Sequence, residues 1–170
     1  MPIGMAAGLD EMMRLAEQGS VKAQLKLGQM YYEGKNVQQD YKKAMHWFRL
    51  AADQGNAEAR NSVGTLYDNG KGVPKDYQEA SKWFRLAAEQ GHVLARRNLG
   101  WMYEKGQGFE KDYVLSYMWH YLAEKARGRQ GGARDGVDQC RLCEALARKM
   151  TPAQIAKAQE LARHKEADKP

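Results

Sequence analysis

The chain has 170 residues, a net charge of +6 and an isoelectric point near 9.3. This length suits one domain with a continuous core, and no apolar run approaches the roughly 18 residues of a membrane span. The modest positive charge permits anionic partners without requiring them, and two cysteines are too few for a disulfide framework.

The first residues of the chain bear on the cellular compartment of the protein. Residues 1–5 lack the basic segment, the apolar stretch and the small-residue cleavage site of a signal peptide. Together with the scarcity of cysteine, this favours a reducing, cytoplasmic compartment. The alternative is a periplasmic or secreted protein from which an export signal has been removed.

The first predicted element is an N-terminal capping helix over residues 5–19. Residues 12–19 (MMRLAEQG) align with residues 48–55 (FRLAADQG), but no tryptophan precedes them. Terminal units of repeat proteins depart from the consensus in this way, because one of their faces has no neighbouring unit.

Three 36-residue units follow, over residues 20–55, 56–91 and 92–127. A fixed period in this range is typical of stacked repeats, in which each unit buries its apolar face against its neighbours. The positions that recur are Gly19/Gly55/Gly91, Gly28/Gly64/Gly100, Tyr31/Tyr67/Tyr103, Gly34/Gly70/Gly106, Asp40/Asp76/Asp112, Tyr41/Tyr77/Tyr113 and Trp47/Trp83/Trp119.

Each unit is predicted to form two helices, A and B. Helix A starts after an N-cap and ends at a glycine suited to left-handed backbone angles. Helix B starts after an aspartate whose carboxylate accepts from free amides. Very short connections between such helices predict an antiparallel stack. The predicted caps are Ser20, Asn56 and His92 for helix A, and Asp40, Asp76 and Asp112 for helix B.

A glycine inside each helix A predicts close contact with helix B. Glycine in a helix costs about 1 kcal/mol relative to alanine, so its presence in three copies needs a reason. We expect Gly28, Gly64 and Gly100 to lie beneath the tryptophans of helix B. Gly64→Leu should therefore cost more stability than Gly64→Ala.

The repeat pattern ends after the third unit. The glycine-rich, basic stretch from Ala126 to Gly136 predicts a loop, assigned to residues 128–136. A helix pair is predicted over 137–164: one helix from Val137 to Met150, then one to about His164. The second begins with Thr151-Pro152-Ala153-Gln154, a capping box with proline at the first helical position. Residues 165–170 are a predicted frayed tail.

The repeats resemble the Sel-1-like repeat family, relatives of the tetratricopeptide repeat, over about Val21 to Ala123. Asn36 replaces the second loop glycine in the first unit, while Phe109 and Ser116 replace a valine and an alanine in the third. The last helix is similar to the tail of many bacterial members. The matching residues of the second unit are Ala59, Val63-Gly64, Tyr67, Gly70-x-Gly72-Val73, Asp76, Ala80, Trp83 and Ala87-Ala88-x-x-Gly91.

The resemblance implies an all-α, right-handed solenoid of antiparallel helix pairs. It also implies a non-enzymatic scaffold or adaptor that binds a protein or peptide and needs no cofactor. We expect a monomer, with end-to-end self-association through open solenoid ends as an alternative.

Partner-binding residues should vary between units and point away from the core. If helix A lines the concave surface, as in tetratricopeptide-like stacks, one helix face forms a strip across the three units. Its positions are Leu25, Gln29, Tyr32, Asn61, Thr65, Asp68, Arg97, Trp101 and Glu104. Leu25 is better explained by packing on the N-terminal helix.

Trp101 is the main candidate in this strip. Its counterparts Gln29 and Thr65 are polar, so the scaffold needs no aromatic side chain there, and Trp beside Arg97 is typical of a binding hot spot. The alternative is that Trp101 covers the irregular C-terminal helices. Tyr32 allows a similar alternative, a structural role in the scaffold, and Asp68 and Glu104 allow a role as solvated surface charges.

Other chemistry-bearing residues do not form a recognisable site. Cys140 and Cys143 share a helix face, but no second ligand pair for zinc follows and no strand–helix setting for thioredoxin-type chemistry is present. We expect two half-buried thiols packed under the last helix. The four histidines are scattered, and the three cap aspartates lie in separate units. The sequence therefore predicts no enzyme, metal or cofactor site.

A second hypothesis from a different class is anion or nucleic-acid binding by the basic C-terminal segment. Seven basic residues lie there against three acidic ones, but no interleaved aromatic residues suggest a single-strand platform. The basic residues are Lys125, Arg127, Arg129, Arg134, Arg141, Arg148 and Lys149.

Overall fold

The computed structural model describes residues 3–131 and 140–167, with the side chains of residues 8–127 and 140–167. All regular secondary structure in these residues is α-helical. The helices are α1 (Ile3–Glu17), α2 (Val21–Glu33), α3 (Tyr41–Asp53), α4 (Ala57–Asn69), α5 (Tyr77–Glu89), α6 (Val93–Lys105), α7 (Tyr113–Gly131), α8 (Arg141–Ala147) and α9 (Pro152–Ala167).

The chain forms two compact units, Met1–Trp83 and Phe84–Pro170. The first compact unit packs α1 on α2, α2 on α3 and α3 on α4. Its core contains the fully buried side chains of Leu27, Phe48 and Leu66. The second compact unit packs α6, α8 and α9 on α7, around the buried side chains of Leu99 and Leu122.

The predicted helix A caps are confirmed. Ser20, Asn56 and His92 have extended backbone angles and accept from the amide three residues later. His92 uses ring Nδ1 as the acceptor, 3.3 Å from Ala95 N. Satisfying one free amide per helix start explains why each helix A begins where the spacing predicts.

The three helix B caps are also confirmed. Asp40 Oδ1 accepts from two backbone amides of α3, each at 3.0 Å. Asp76 and Asp112 do the same for α5 and α7. The A–B connection contains a left-handed residue in each repeat: Asn36 (φ 64°), Gly72 (φ 73°) and Gly108 (φ 71°). Asparagine tolerates this region better than most residues, which accounts for its presence in the first repeat.

The expectation that the internal glycines lie under tryptophan is wrong for the two that can be compared. A Cβ on Gly28 would overlap the Phe48 ring, and one on Gly100 would lie 2.6 Å from the His120 ring. The close residue is thus one position after Trp47 or Trp119, because the rotation of helix B turns that side chain directly onto helix A. The comparison of Gly64→Leu with Gly64→Ala stays a prediction.

A buried polar position in helix A, which the sequence argument did not identify, joins successive helices. Gln24 Nε2 donates to Ala16 O at 3.0 Å, Arg60 Nε to Ala52 O at 3.2 Å, and Arg96 Nε to Ala88 O at 3.2 Å. Each donor reaches the carbonyl eight residues earlier, at the end of the preceding helix. The capping helix α1 therefore supplies the same acceptor as a repeat's helix B.

The C-terminal region differs from its prediction. Helix α7 continues to Gly131, so the predicted loop is wrong for residues 126–131, while 132–136 lie outside the described residues. Helix α7 packs on α6, α8 and α9, and tertiary packing of a helix can override the low helix propensity of glycine. The helix predicted from Val137 is described only as α8, with residues 137–139 outside the description.

The last helix follows its predicted capping box. Thr151 N donates to Gln154 Oε1 at 2.8 Å, and Gln154 N donates to Thr151 Oγ1 at 3.3 Å. Helix α9 extends to Ala167, beyond the predicted end near His164 and into the predicted tail. Residues 168–170 of that tail lie outside the described residues.

The prediction of two half-buried free thiols is wrong. Cys140 and Cys143 are buried and joined in a disulfide. Cys140 is the N-cap of α8, and its Sγ accepts from Cys143 N at 3.1 Å, so the first helical turn brings the two cysteines together with Cα atoms 5.1 Å apart. This separation is normal for a disulfide. The bond removes the argument for a reducing compartment from cysteine usage, and the cytoplasmic location stays an expectation.

Candidate partner-binding surface

The predicted strip divides between the two compact units. Its first-unit members are Gln29, Tyr32, Asn61, Thr65 and Asp68, and its second-unit members are Arg97, Trp101 and Glu104. All except Trp101 are half-buried, and Trp101 is exposed.

Polar side chains in the first unit's strip are engaged with their own unit. Gln29 Nε2 donates to Glu58 Oε1 at 2.8 Å, linking α2 to α4. Thr65 Oγ1 donates to the Asn61 carbonyl of the preceding helical turn at 2.9 Å. These bonds satisfy the side chains without a partner molecule, so a ligand would have to compete with them.

Tyr32 has structural contacts within the first unit. Its ring meets Tyr41 edge-on at 5.4 Å, and the Lys71 ammonium lies 5.0 Å from the centroid of the Tyr32 ring and 4.9 Å from that of Tyr41. Lys71 Nζ also donates to Tyr32 Oη at 3.3 Å, and this bond raises the pKa of Lys71. These contacts support the alternative that Tyr32 belongs to the scaffold.

Asp68 lies at the end of α4. Partial burial raises the pKa of its carboxyl group, while the nearby charge of Lys75 opposes that effect. A raised pKa means that the charged form is less well solvated here than in water.

Trp101 is the aromatic residue of the second unit's strip, and 39% of its surface is accessible. One edge contacts the His120 ring of α7, with 5.5 Å between centroids, and Lys105 Nζ lies 5.9 Å from the centroid of the indole. Trp101 thus contacts α7 on one side and remains open on another. The contact is with helix B of the same repeat, so both the binding role of Trp101 and the alternative that it covers the C-terminal helices stay predictions.

Leu94 is a surface residue that the sequence argument missed. It is 53% exposed and lies two turns before Trp101 on α6, so the two side chains share one helix face. Its counterparts in the other repeats are Lys22 and Glu58. The signal was present in the repeat alignment, because an apolar side chain stands where the other two repeats have charged ones.

Charged groups surround the exposed Trp101 ring. Glu104 accepts from Lys149 Nζ at 3.0 Å, and this bond raises the pKa of Lys149. Arg97 Nε is buried and has no hydrogen-bond partner among the described residues. Lys105 is exposed beside the ring. Glu104 is the only acidic residue of α6, and its charge is offset by Lys149, so this face is positive.

His120 lies beneath this surface with no exposed area. It replaces Phe48 and Phe84 of the other repeats, and neither ring nitrogen has a hydrogen-bond partner in the described structure. Burial lowers the pKa of His120 to about 4; the Glu104 charge opposes this shift and the Arg97 charge adds to it. The imidazole is therefore neutral at pH 7 and packs as an aromatic ring.

Two clefts of about 370 and 270 Å³ lie in the first unit and share Leu9 and Asn36 in their walls. None of the eight predicted strip residues lines them. Across residues 3–131 and 140–167, no group of three His, Cys, Asp or Glu side chains is arranged to hold a metal ion. No helix in that part of the chain is long and apolar enough to cross a membrane.

The Sel1 repeat model matches residues 21–56, 57–92 and 93–126. Each match begins one residue after a unit inferred from the 36-residue spacing. Because these matches cover more than half of the chain, the protein belongs to the Sel1 repeat family. Members of this family generally serve as protein–protein interaction scaffolds. No curated protein matches the chain.

Two solved structures are similar to this chain. One is c5321, a protective antigen of uropathogenic Escherichia coli strains with an SLR fold: identity is 38%, the TM-score is 0.69, and 75% of this chain and 26% of the antigen are covered. The other is a Sel1 repeat protein from Oxalobacter formigenes, with 36% identity, a TM-score of 0.61, and coverage of 72% of this chain and 96% of that protein.

These comparisons confirm the predicted family and its all-α helix-pair fold class. This chain spans about a quarter of the E. coli antigen's length.

Proposed function

We propose that this chain is a non-enzymatic scaffold that binds a peptide or protein partner through the exposed faces of its A helices. The observation that carries this proposal is Trp101. It offers an exposed indole at a position where the other repeats have Gln29 and Thr65, and tryptophan is among the residues most enriched in binding hot spots.

The second-unit face of α6 is the principal contact in this proposal. Leu94 and Trp101 are two of the five exposed large apolar side chains among the described residues, and they share one helix face. Arg97 lies between them, and arginine is also enriched in hot spots. We call the face formed by Leu94, Arg97, Trp101 and Lys105 the α6 surface.

The first-unit residues of the strip have a smaller part in this proposal. Gln29, Tyr32 and Thr65 already bond within their unit, so they add shape and polarity rather than most of the binding energy. Asp68 is an additional polar contact. The full proposal is that all eight strip residues face one partner in a concave groove.

The test is cross-linked capture from the source cell's lysate, analysed by mass spectrometry. A protein captured by the wild type should be lost with Trp101→Ala and weakened with Leu94→Ala. The matched control is Leu86→Ala, which removes another exposed leucine (42% accessible) of the second unit. Loss at a hot spot is about 2 kcal/mol, or roughly 30-fold in affinity.

A triple variant extends the test to the first unit. Asp68→Lys combined with Arg97→Glu and Trp101→Ala should abolish capture, with circular dichroism checking that the fold is kept. Equal capture by the wild type, the triple variant and the leucine variants would place the contact elsewhere and reject the α6 surface.

Three of the five described basic side chains of the nucleic-acid hypothesis are paired within the protein. Lys125 pairs with Glu166, Arg127 lies 3.7 Å from Glu124, and Lys149 bonds Glu104. Pairing lowers the positive potential that phosphate binding requires. A titration with RNA or DNA at low ionic strength tests it, since phosphate binding would have to weaken steeply with added salt.

A further inference from the structure

We propose that the occupant of the α6 surface is an acidic peptide segment, whose carboxylates meet Arg97 and Lys105 while an apolar side chain packs on Trp101. This inference rests on the proposed function and specifies its partner class. Three features of the second compact unit support it: the apolar spacing, the charge, and an unsatisfied guanidinium nitrogen.

The apolar part of the surface has a defined spacing. Leu94 and Trp101 are seven residues apart on α6, which places them about 10 Å apart along the helix axis. A short peptide can contact both with two apolar side chains. The counterparts of these residues in α2 are Lys22 and Gln29, so the α2 face offers no apolar pair.

The charge of the surface selects against basic peptides. Lys105 is exposed over the indole ring of Trp101, and Arg97 lies one helical turn before Trp101. Glu104 already accepts a hydrogen bond from Lys149. The buried imidazole of His120 adds no charge at pH 7, since burial lowers its pKa. A peptide that carries Asp or Glu beside its apolar residue therefore complements the surface, whereas Lys or Arg is repelled.

Arg97 is the residue that most directly favours a carboxylate on the bound peptide. Its Nε is buried without an acceptor among the described residues, and leaving a buried donor unpaired is unfavourable. A small rotation of the half-buried side chain would present Nε and a terminal nitrogen together. A carboxylate accepts from both in the two-pronged geometry that guanidinium groups favour.

The corresponding first-unit position shows the contrast. Gln29 already donates to Glu58 within the unit, and Glu33 stands where α6 has Lys105. The α2 face thus has its own acidic groups and lacks the exposed apolar pair. The proposed recognition is consequently a property of α6, not of the repeat in general.

The experiment is selection from a phage-displayed library of random short peptides on the full chain. Four proteins are compared: wild type, Arg97→Glu, Trp101→Ala and the control Arg163→Glu. Arg163 is exposed on α9, so the control makes the same charge change away from α6. Circular dichroism establishes that all four are folded.

We expect the peptides selected by the wild type and by Arg163→Glu to be enriched in Asp or Glu next to an apolar residue. These peptides should be lost with Trp101→Ala, and Arg97→Glu should select neutral or basic peptides instead. Replacing the carboxylates of a selected peptide by amides should weaken binding about tenfold or more, measured by fluorescence anisotropy.

Two results would overturn the inference in different ways. Trp101-dependent peptides without acidic enrichment would reject the partner class and leave the proposed function standing. The absence of any Trp101-dependent peptide would reject the α6 surface as a peptide site and with it the proposed contact.

Discussion

The α2–α3 pair of the first compact unit and the α6–α7 pair of the second make the same contacts with different chemistry. In both, an internal glycine receives a ring from helix B, but the ring is Phe48 in one pair and His120 in the other. In both, a polar side chain of helix A caps the preceding helix, through Gln24 in one and Arg96 in the other.

This difference shows which positions of the repeat are constrained by the fold and which can vary in sequence. The left-handed turns, the aspartate caps and the glycine contacts are geometrical requirements, so they recur. The position of Gln29 and Trp101 carries no such requirement, and the side chain there differs in type between the repeats. In the second pair the changes cluster, since Trp101 contacts His120 directly.

The largest expected effect concerns the ring-on-glycine contact. Phe48→Ala should lower the free energy of unfolding by about 3–5 kcal/mol through the cavity that it leaves. Gly28→Ala should cost about 2–3 kcal/mol, because its Cβ overlaps the Phe48 ring. Chemical denaturation followed by circular dichroism measures both.

The double variant makes this prediction sharper. Combining Gly28→Ala with Phe48→Ala should cost clearly less than the sum of the single changes, since the added methyl group occupies part of the cavity. Additive costs would show that the ring does not exclude the methyl group. Gly100→Ala should likewise be costly, through His120.

The next prediction concerns the pH dependence of the free energy of unfolding, in which the two helix pairs should differ. Burial lowers the pKa of His120 to about 4 from an ordinary 6.5, so between these values the unfolded chain binds more protons than the folded one. The contribution of the neutral His120 side chain to the free energy of unfolding is fully present above about pH 6.5 and is lost as the pH falls toward 4. The loss is about 3 kcal/mol.

The measurement is the difference between the wild type and His120→Phe, which restores the residue of the other repeats. The wild type should lose stability relative to the variant between pH 6.5 and 4, although Glu104 and Arg97 also face this ring. His46→Phe removes an exposed histidine of α3 and serves as the control. Parallel curves for the wild type and His120→Phe would contradict the prediction.

A smaller effect compares the buried polar donors. Arg96 Nη1 also donates to Leu122 O at 2.8 Å, so Arg96→Ala leaves a carbonyl of α7 without this partner and should cost about 2 kcal/mol. Gln24→Ala should cost about 1 kcal/mol: Gln24 also has a second bond, accepted from Gln54 Nε2 at 2.8 Å, but Gln54 is exposed and also donates to Gly19 O, so its loss leaves no buried group unpaired. Equal costs in denaturation experiments would show that the second bond of Arg96 adds nothing.

Much of this architecture was predictable because it repeats. The caps at Ser20, Asn56 and His92 follow from residue type and spacing, as does the capping box at Thr151. Helix α1 was recognisable from the overlay of residues 12–19 on residues 48–55. In each case a local backbone requirement, such as a free amide or a left-handed angle, leaves a direct trace in the sequence.

The remainder depended on tertiary contacts that spacing does not encode. The ring against Gly28 is Phe48 rather than Trp47 because of how the two helices rotate against each other. Helix α7, which packs on α6, α8 and α9, continues through a glycine-rich stretch whose low helix propensity predicts a loop. Leu94 is not among the three positions per repeat defined by Leu25, Gln29 and Tyr32, although Lys22 and Glu58 mark its position as variable.

The smallest predicted effect concerns the aspartate caps of helix B, at which the two helix pairs should behave alike. Asp40 and Asp112 each accept from two amides at the start of helix B, at 2.8–3.0 Å. Asp40→Ala and Asp112→Ala should therefore each lower the free energy of unfolding by about 1 kcal/mol. Asparagine at either position should retain most of that stability, since its side-chain oxygen still accepts. A much larger loss for Asp112→Ala than for Asp40→Ala would mean that this carboxylate has a further role in the second unit, where the chemistry of the repeat has already diverged.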